Sequence, residues 1–109
     1  MQNITDIYLL NQIKSNDAVF ILFGSAQCSV CKSILPQLET MLNQQFPEMR
    51  GIYIDCEKSP EICAQNSVFT LPVVTAYIDG KKISEQARSF SIKQLAQSLE
   101  RPYSMWKNQ

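Results

Sequence analysis

Apolar and polar positions along this chain follow two different periods, and the switches between them mark out its elements. Ile7, Leu10 and Ile13 recur at helical spacing behind Thr5 or Asp6, either of which can cap a first helix running to about Lys14, before Ser15-Asn16-Asp17 breaks it. Ala18-Val19-Phe20-Ile21-Leu22-Phe23 is an unbroken apolar run, the pattern of a strand buried on both faces. Over 29–45 the period turns helical again, with Ile34, Leu35, Leu38, Met41 and Leu42 forming a stripe that continues to Phe46. Pro36 falls inside that stretch and has no N–H for the carbonyl of Lys32, so a kink rather than a stop is expected.

Gly51-Ile52-Tyr53-Ile54-Asp55 reads as a second buried strand, and Ser59-Pro60-Glu61 opens a short helix to about Asn66, with proline in the first turn. Residues 71–78 form a third strand that turns at Asp79-Gly80 into 82–86, an antiparallel hairpin. Ser91 caps a last helix carrying Ile92, Leu95, Ala96 and Leu99; it is expected to end near Pro102 and to leave 101–109 as a tail. Strand, helix and strand make a βαβ unit, and the hairpin adds antiparallel strands. The fold class is therefore α/β, a single domain with a central mixed sheet of four to five strands flanked by about four helices.

A chain of 109 residues buries roughly 65% of its unfolded surface on folding, enough to stand without covalent staples, so its four cysteines are free for chemistry. Ten basic and ten acidic residues are scattered, with no basic stripe for nucleic acid. The longest apolar run falls far short of the ~20 residues that span a bilayer, and Met1-Gln2-Asn3-Ile4-Thr5-Asp6 lacks the basic and apolar regions of a secretory signal. These features predict a cytoplasmic protein and a monomer, with no nucleic-acid or membrane partner, acting on proteins or small thiols. The absence of histidine removes the commonest metal ligand.

Cys28 and Cys31 sit where the first apolar strand ends and the long helix begins. At a helix start the sulfur of Cys28 meets free backbone N–H groups and the positive end of the helix dipole, both favouring thiolate over thiol. Its pKa is expected below the free value of about 8.5. Cys31, three residues on, lies on the same helix face about 5–6 Å away, within reach of a disulfide. One sulfur can attack and the other can resolve.

The Cys-x-x-Cys after the core strand, the proline-bearing helix behind it, the later Leu71-Pro72 opening a strand, and the Asp-Gly hairpin together resemble the thioredoxin family across about residues 5–100. That resemblance implies a thiol–disulfide oxidoreductase, with Cys28 as attacking thiolate and Cys31 as resolving thiol; the reducing cytoplasm expected for the chain makes it a reductase. It implies a cis Pro72 facing them and a substrate surface built from Leu71, Pro72, Gln27 and Val30. It also implies protein disulfide substrates and an electron donor such as thioredoxin reductase or glutathione, with no bound cofactor beyond the redox-active Cys28–Cys31 disulfide and no metal.

Departures from the family pattern accompany the match. Gln27 stands where thioredoxins carry Trp, Ser29-Val30 replaces Gly-Pro, and Gly24 occupies another Trp position. The family's buried Asp aligns with Leu22 and its Lys partner with Gly51, so both proton-handling groups are missing. Arg88, ahead of the last helix, is a candidate cation for the Cys28 thiolate; the plainer reading is a solvated surface arginine. Cys56 and Cys63 admit three readings: two buried thiols behaving as small hydrophobes, an accessory disulfide of the kind animal thioredoxins carry in the corresponding segment, or half of a four-thiolate zinc site. Trp106 packs either on the domain or on a partner. Two further functions stay open, a non-catalytic thioredoxin-fold binding module and a structural zinc domain.

Overall fold

The apolar run of the sequence becomes the central strand of a five-stranded mixed sheet in a computed structural model that describes residues 1–109. In chain order the elements are β1 (Gln2–Asn3), α1 (Ile7–Asn16), β2 (Ala18–Gly24), α2 (Ser29–Gln45), β3 (Arg50–Asp55), α3 (Pro60–Gln65), β4 (Val73–Ile78), β5 (Lys81–Ala87) and α4 (Ile92–Lys107). The strands lie in the order β1-β3-β2-β4-β5. β1 is parallel to β3 and β3 to β2, whereas β4 is antiparallel to β2 and β5 to β4.

Every residue of β2 is buried, because helices cover both faces of the sheet. Successive side chains enter opposite layers. Ala18, Phe20 and Leu22 pack with Leu38 and Leu42 of α2 and Leu95 and Leu99 of α4. Val19, Ile21 and Phe23 pack with Leu10 and Ile13 of α1 and Ile62 of α3. Each fully buried Leu, Ile or Phe in these layers stabilises the fold by about 1.5–3 kcal/mol relative to exposure. No helix is long and apolar enough to cross a membrane.

Local chemistry sets the element ends. Asp6 caps α1 by accepting the Tyr8 N–H at 2.9 Å, and Ser91 caps α4 by accepting the Gln94 N–H at 3.2 Å. Asp79 and Gly80 both have positive φ, 50° and 83°, the backbone that a two-residue hairpin needs to match the twist of its strands. A register shift at Ala76/Tyr77 puts a bulge between β4 and β5.

One expectation is corrected. α4 does not end near Pro102, and 101–109 is not a tail: the helix runs through the proline to Lys107. A proline inside a helix costs about 3 kcal/mol, but packing beyond it offsets that cost. Tyr103 is buried edge-on against Phe46 with ring centroids 5.1 Å apart, its hydroxyl accepts the Glu48 N–H at 3.0 Å, and Trp106 leans on Tyr103 at 5.9 Å. Trp106 therefore packs on its own domain. The fifth strand of the sheet is β1, which the sequence pattern does not show. It forms because the outer edge of β3 offers backbone partners: the Ile4 N–H reaches the Tyr53 carbonyl at 3.3 Å, Ile4 is buried, and the Met1 amino group pairs with Glu39 of α2.

Thr75 of β4 is buried, and its hydroxyl has no hydrogen-bond partner. An unpaired buried hydroxyl destabilises by about 1–3 kcal/mol, while valine has the same shape without it. Thr75→Val is expected to raise stability by about 1 kcal/mol and Tm by roughly 4 °C, as read by thermal unfolding; a lower Tm would show that the hydroxyl has a partner in solution.

Candidate active site

Four segments meet at one end of the sheet. Phe23 pairs with Val73, so Gly24 at the close of β2 comes level with Pro72 just ahead of β4. Cys56, directly after β3, donates its N–H to the Gly24 carbonyl at 2.8 Å. Arg88, directly after β5, donates its N–H to the Pro72 carbonyl at 2.7 Å. The ladder thus places the residues after β2, β3 and β5 around those before β4, and the turn Ser25–Cys28 lifts the chain from this end into α2. That turn is closed by the Cys28 N–H on the Ser25 carbonyl at 3.2 Å.

Cys28 is the N-cap of α2, in extended backbone, and its sulfur accepts the Cys31 N–H at 3.2 Å. The sulfur thus occupies the position of a capping oxygen, against orphan donors and the positive end of a helix of 17 residues. Cys28 and Cys31 are joined as a disulfide with Cα atoms 5.3 Å apart. The two ends differ in access: Cys28 is half-buried, whereas Cys31 is only 2% exposed, beneath the first turn of α2. Reduction of this bond would give one accessible thiol at a helix start and one buried thiol behind it.

The other residues singled out in the sequence surround this pair unevenly. Gln27 and Val30 are exposed next to it, Pro72 is buried, and Leu71 is half-buried on the far side of the Gly24 end. The Leu71–Pro72 peptide is cis. Arg88 is exposed, with φ at 68°, and lines a shallow depression with Val30, Ile34, Ser89 and Phe90. Its charge therefore lies on the same side of the site as the first turn of α2. Cys56 and Cys63 form a second disulfide, with Cα atoms 5.7 Å apart, that ties the end of β3 to α3. No group of three or more cysteine or acidic side chains is arranged to hold a metal, so the four sulfurs do not form one cluster.

Two residues near the site were not singled out in the sequence. Phe69 is 81% exposed two positions before Leu71, while its neighbour Val68 turns inward. An aromatic between Val68 and Thr70 in a segment with no period is the signal it leaves, and that signal is weak. Tyr53 is the second: a Cβ built on Gly24 would stand 3.1 Å from the Tyr53 hydroxyl oxygen and 3.2 Å from the Cys31 sulfur. Burial, with Asp55 and Glu57 adding to it, holds the Tyr53 phenol above its ordinary pKa, so it is protonated at neutral pH.

Comparison with known proteins agrees with this geometry. The family model described as Thioredoxin matches residues 3–101. The chain is 34% identical to the thioredoxin-like protein YdfQ of Bacillus subtilis, with all of both chains covered. It superimposes on thioredoxin 1 of Thermosipho africanus with a TM-score of 0.74 at 31% identity, covering 84% of this chain and 99% of that one. It is also 24% identical to part of a bifunctional thioredoxin reductase/thioredoxin of Mycobacterium leprae, over 70% of this chain and 17% of that protein.

After reduction at neutral pH, iodoacetamide is expected to modify Cys28 about tenfold faster than Cys31 or Cys63, because Cys28 combines a helix start with access while the other two are almost wholly buried. Mass-spectrometric mapping of the label checks this. Earlier labelling of Cys31 or Cys63 would contradict the assignment of the accessible sulfur.

Proposed function

This chain belongs to the thioredoxin family, and from that premise we propose that it is a thiol–disulfide oxidoreductase that reduces protein disulfides through Cys28 and Cys31. The observation that carries the reading is the capped sulfur: Cys28 stands at the N-cap of α2, accepts the Cys31 N–H, and is bonded to a buried partner three residues away. In the reduced protein the same N–H and the helix dipole favour the Cys28 thiolate.

The Cys28 thiolate attacks one sulfur of a substrate disulfide. A Cys28–substrate bond forms, and the other substrate sulfur leaves as a thiolate that takes a proton from water. Cys31 then loses its proton and attacks the Cys28 sulfur; the second substrate thiolate leaves, and the Cys28–Cys31 disulfide seen in the structure is regenerated. Two electrons pass from the dithiol to the substrate. An external donor, thioredoxin reductase or glutathione, returns them; the Mycobacterium leprae relative that joins a reductase to a thioredoxin supports the first of these.

Substrate lies across the end of the sheet in this proposal. Gln27 and Val30 contact it from the α2 side, and Leu71 and Pro72 contact it from the β4 side, where Leu71 is partly accessible. Arg88, next to Val30, adds positive charge on the approach to the Cys28 thiolate. A docking module without turnover would use the same surface. It gains support from Leu22 and Gly51, positions where this chain carries no ionisable side chain.

Turnover separates the two. With dithiothreitol as electron source, the protein is expected to accelerate insulin disulfide reduction, and Cys28→Ser to lose at least about 99% of that rate because the attacking atom is gone. Cys31→Ser is expected to accumulate a covalent Cys28–insulin adduct visible by mass, since attack survives and resolution does not. Wild-type protein that leaves the insulin rate unchanged would exclude the oxidoreductase reading and favour the docking module.

A further inference from the structure

Cys31 presents a chemical difficulty. It is 2% exposed, and burial raises a thiol's pKa, yet the resolving step needs its thiolate. Its own backbone N–H is committed to Cys28. The residues lining this side of the sheet offer little help: Leu22 and Gly24 on β2 and Gly51 on β3 carry no polar side-chain atom. Tyr53, paired with Leu22 across the β2–β3 ladder, does. The position of a Cβ on Gly24 lies 3.1 Å from the Tyr53 hydroxyl oxygen and 3.2 Å from the Cys31 sulfur, so both atoms border one small space that the glycine leaves open.

We propose that the Tyr53 hydroxyl is the hydrogen-bond donor that stabilises the Cys31 thiolate, directly or through one water over Gly24, and so sets the rate of the resolving step. The inference rests on the oxidoreductase reading only for its biological use; the chemistry is a property of the reduced protein. Tyr53 acts as a neutral donor and takes no proton: the Cys31 proton passes to solvent, Cys31 attacks the Cys28 sulfur, and the leaving thiolate is released. The phenol's raised pKa keeps the donor proton in place through the neutral range.

Other charges near the pair are accounted for. Asp55 of β3 accepts the backbone N–H groups of Glu57 and Lys58 at 2.9 and 3.2 Å. Glu57 and Lys58 are exposed, as are Lys32 on α2 and Arg88 after β5. Glu39 of α2 is held by the Met1 amino group. Among these charged groups, none matches the hydroxyl of Tyr53 in bordering the space over Gly24.

Tyr53→Phe removes one oxygen and keeps the ring that packs on the core. Dithiobis-nitrobenzoate reads the two sulfurs in turn: the first released nitrothiobenzoate reports attack by Cys28, the second reports resolution by Cys31. In Tyr53→Phe the proton affinity of Cys31, followed by its Cβ resonance in the reduced protein, is expected to rise about tenfold, the effect of losing one hydrogen bond to a charged group. Thiolate at neutral pH falls by the same factor. A more basic thiolate is about threefold more nucleophilic, so the second phase is expected to slow about threefold at neutral pH and to match or exceed wild type once pH passes the Cys31 pKa. The first phase stays unchanged.

That crossing of the two pH profiles is a signature that loosened packing does not produce. In wild-type protein the Tyr53 Cζ resonance should also move as Cys31 titrates, a measurement that needs no variant. Identical Cys31 titrations and second phases in the two proteins, or a Tyr53 resonance indifferent to Cys31, would overturn the proposal. Both readings stand whether or not wild-type protein reduces insulin, so a failure there counts against the proposed function and not against this contact.

Discussion

The end of β2 is a place with little room for a side-chain carbon. A Cβ on Gly24 would meet the Cys31 Cβ and the Tyr53 hydroxyl at 3.1 Å and the Cys31 sulfur at 3.2 Å, closer than side chains ordinarily pack. The same residue's carbonyl receives the Cys56 N–H at 2.8 Å. α2 can therefore begin directly over the sheet, and β3 can deliver its following loop to the same spot. A Cβ here would press on the Cys31 side chain and the Tyr53 hydroxyl, which would have to give by a few tenths of an ångström. The redox pair is seated by the absence of an atom as much as by the helix that carries it.

Much of this arrangement was legible from pattern because the forces behind it are local or strongly periodic. A short uninterrupted apolar run between polar turns suits a strand covered on both faces, and β2 is fully buried. Asp79-Gly80 announces its hairpin because two successive positive φ angles suit few other residue pairs. Cys28 and Cys31 at a strand-to-helix junction state their chemistry through the helix start alone. β1, the last turns of α4 and Tyr53 were not legible, for one reason. Each depends on a partner distant in sequence: β1 on the free edge of β3, the turns after Pro102 on Phe46 and Glu48, and Tyr53 on a glycine in the neighbouring strand. Periodicity says which face a residue takes and not which atoms wait there.

The two cysteine pairs show how one bond type takes different surroundings. Cys28–Cys31 lies across the first turn of a long helix, with one end accessible. Cys56–Cys63 closes a short loop onto α3 with Cys63 buried among the α1-side apolar residues, where cross-linking a loop of this length stabilises by about 2–3 kcal/mol in a chain-entropy treatment. They are held close by the Gly24 carbonyl, which accepts the Cys56 N–H immediately beside the turn that leads to Cys28. The fold thus sets one disulfide against the base of the other.

The irregular pairing of β4 with β5 bears on how this molecule meets others of its kind. β5 is an open border of the sheet, and an open border with free N–H and C=O groups invites another strand to dock and extend the ladder. Lys81, Lys82 and Glu85 place charge along that border, and the shift at Ala76/Tyr77 bends it out of the straight line a docking strand would require. Charge and a bulge on an edge strand are the devices that discourage a second strand from docking there. The ends of the strands, where the Cys28–Cys31 disulfide lies, are a different kind of surface from this flank.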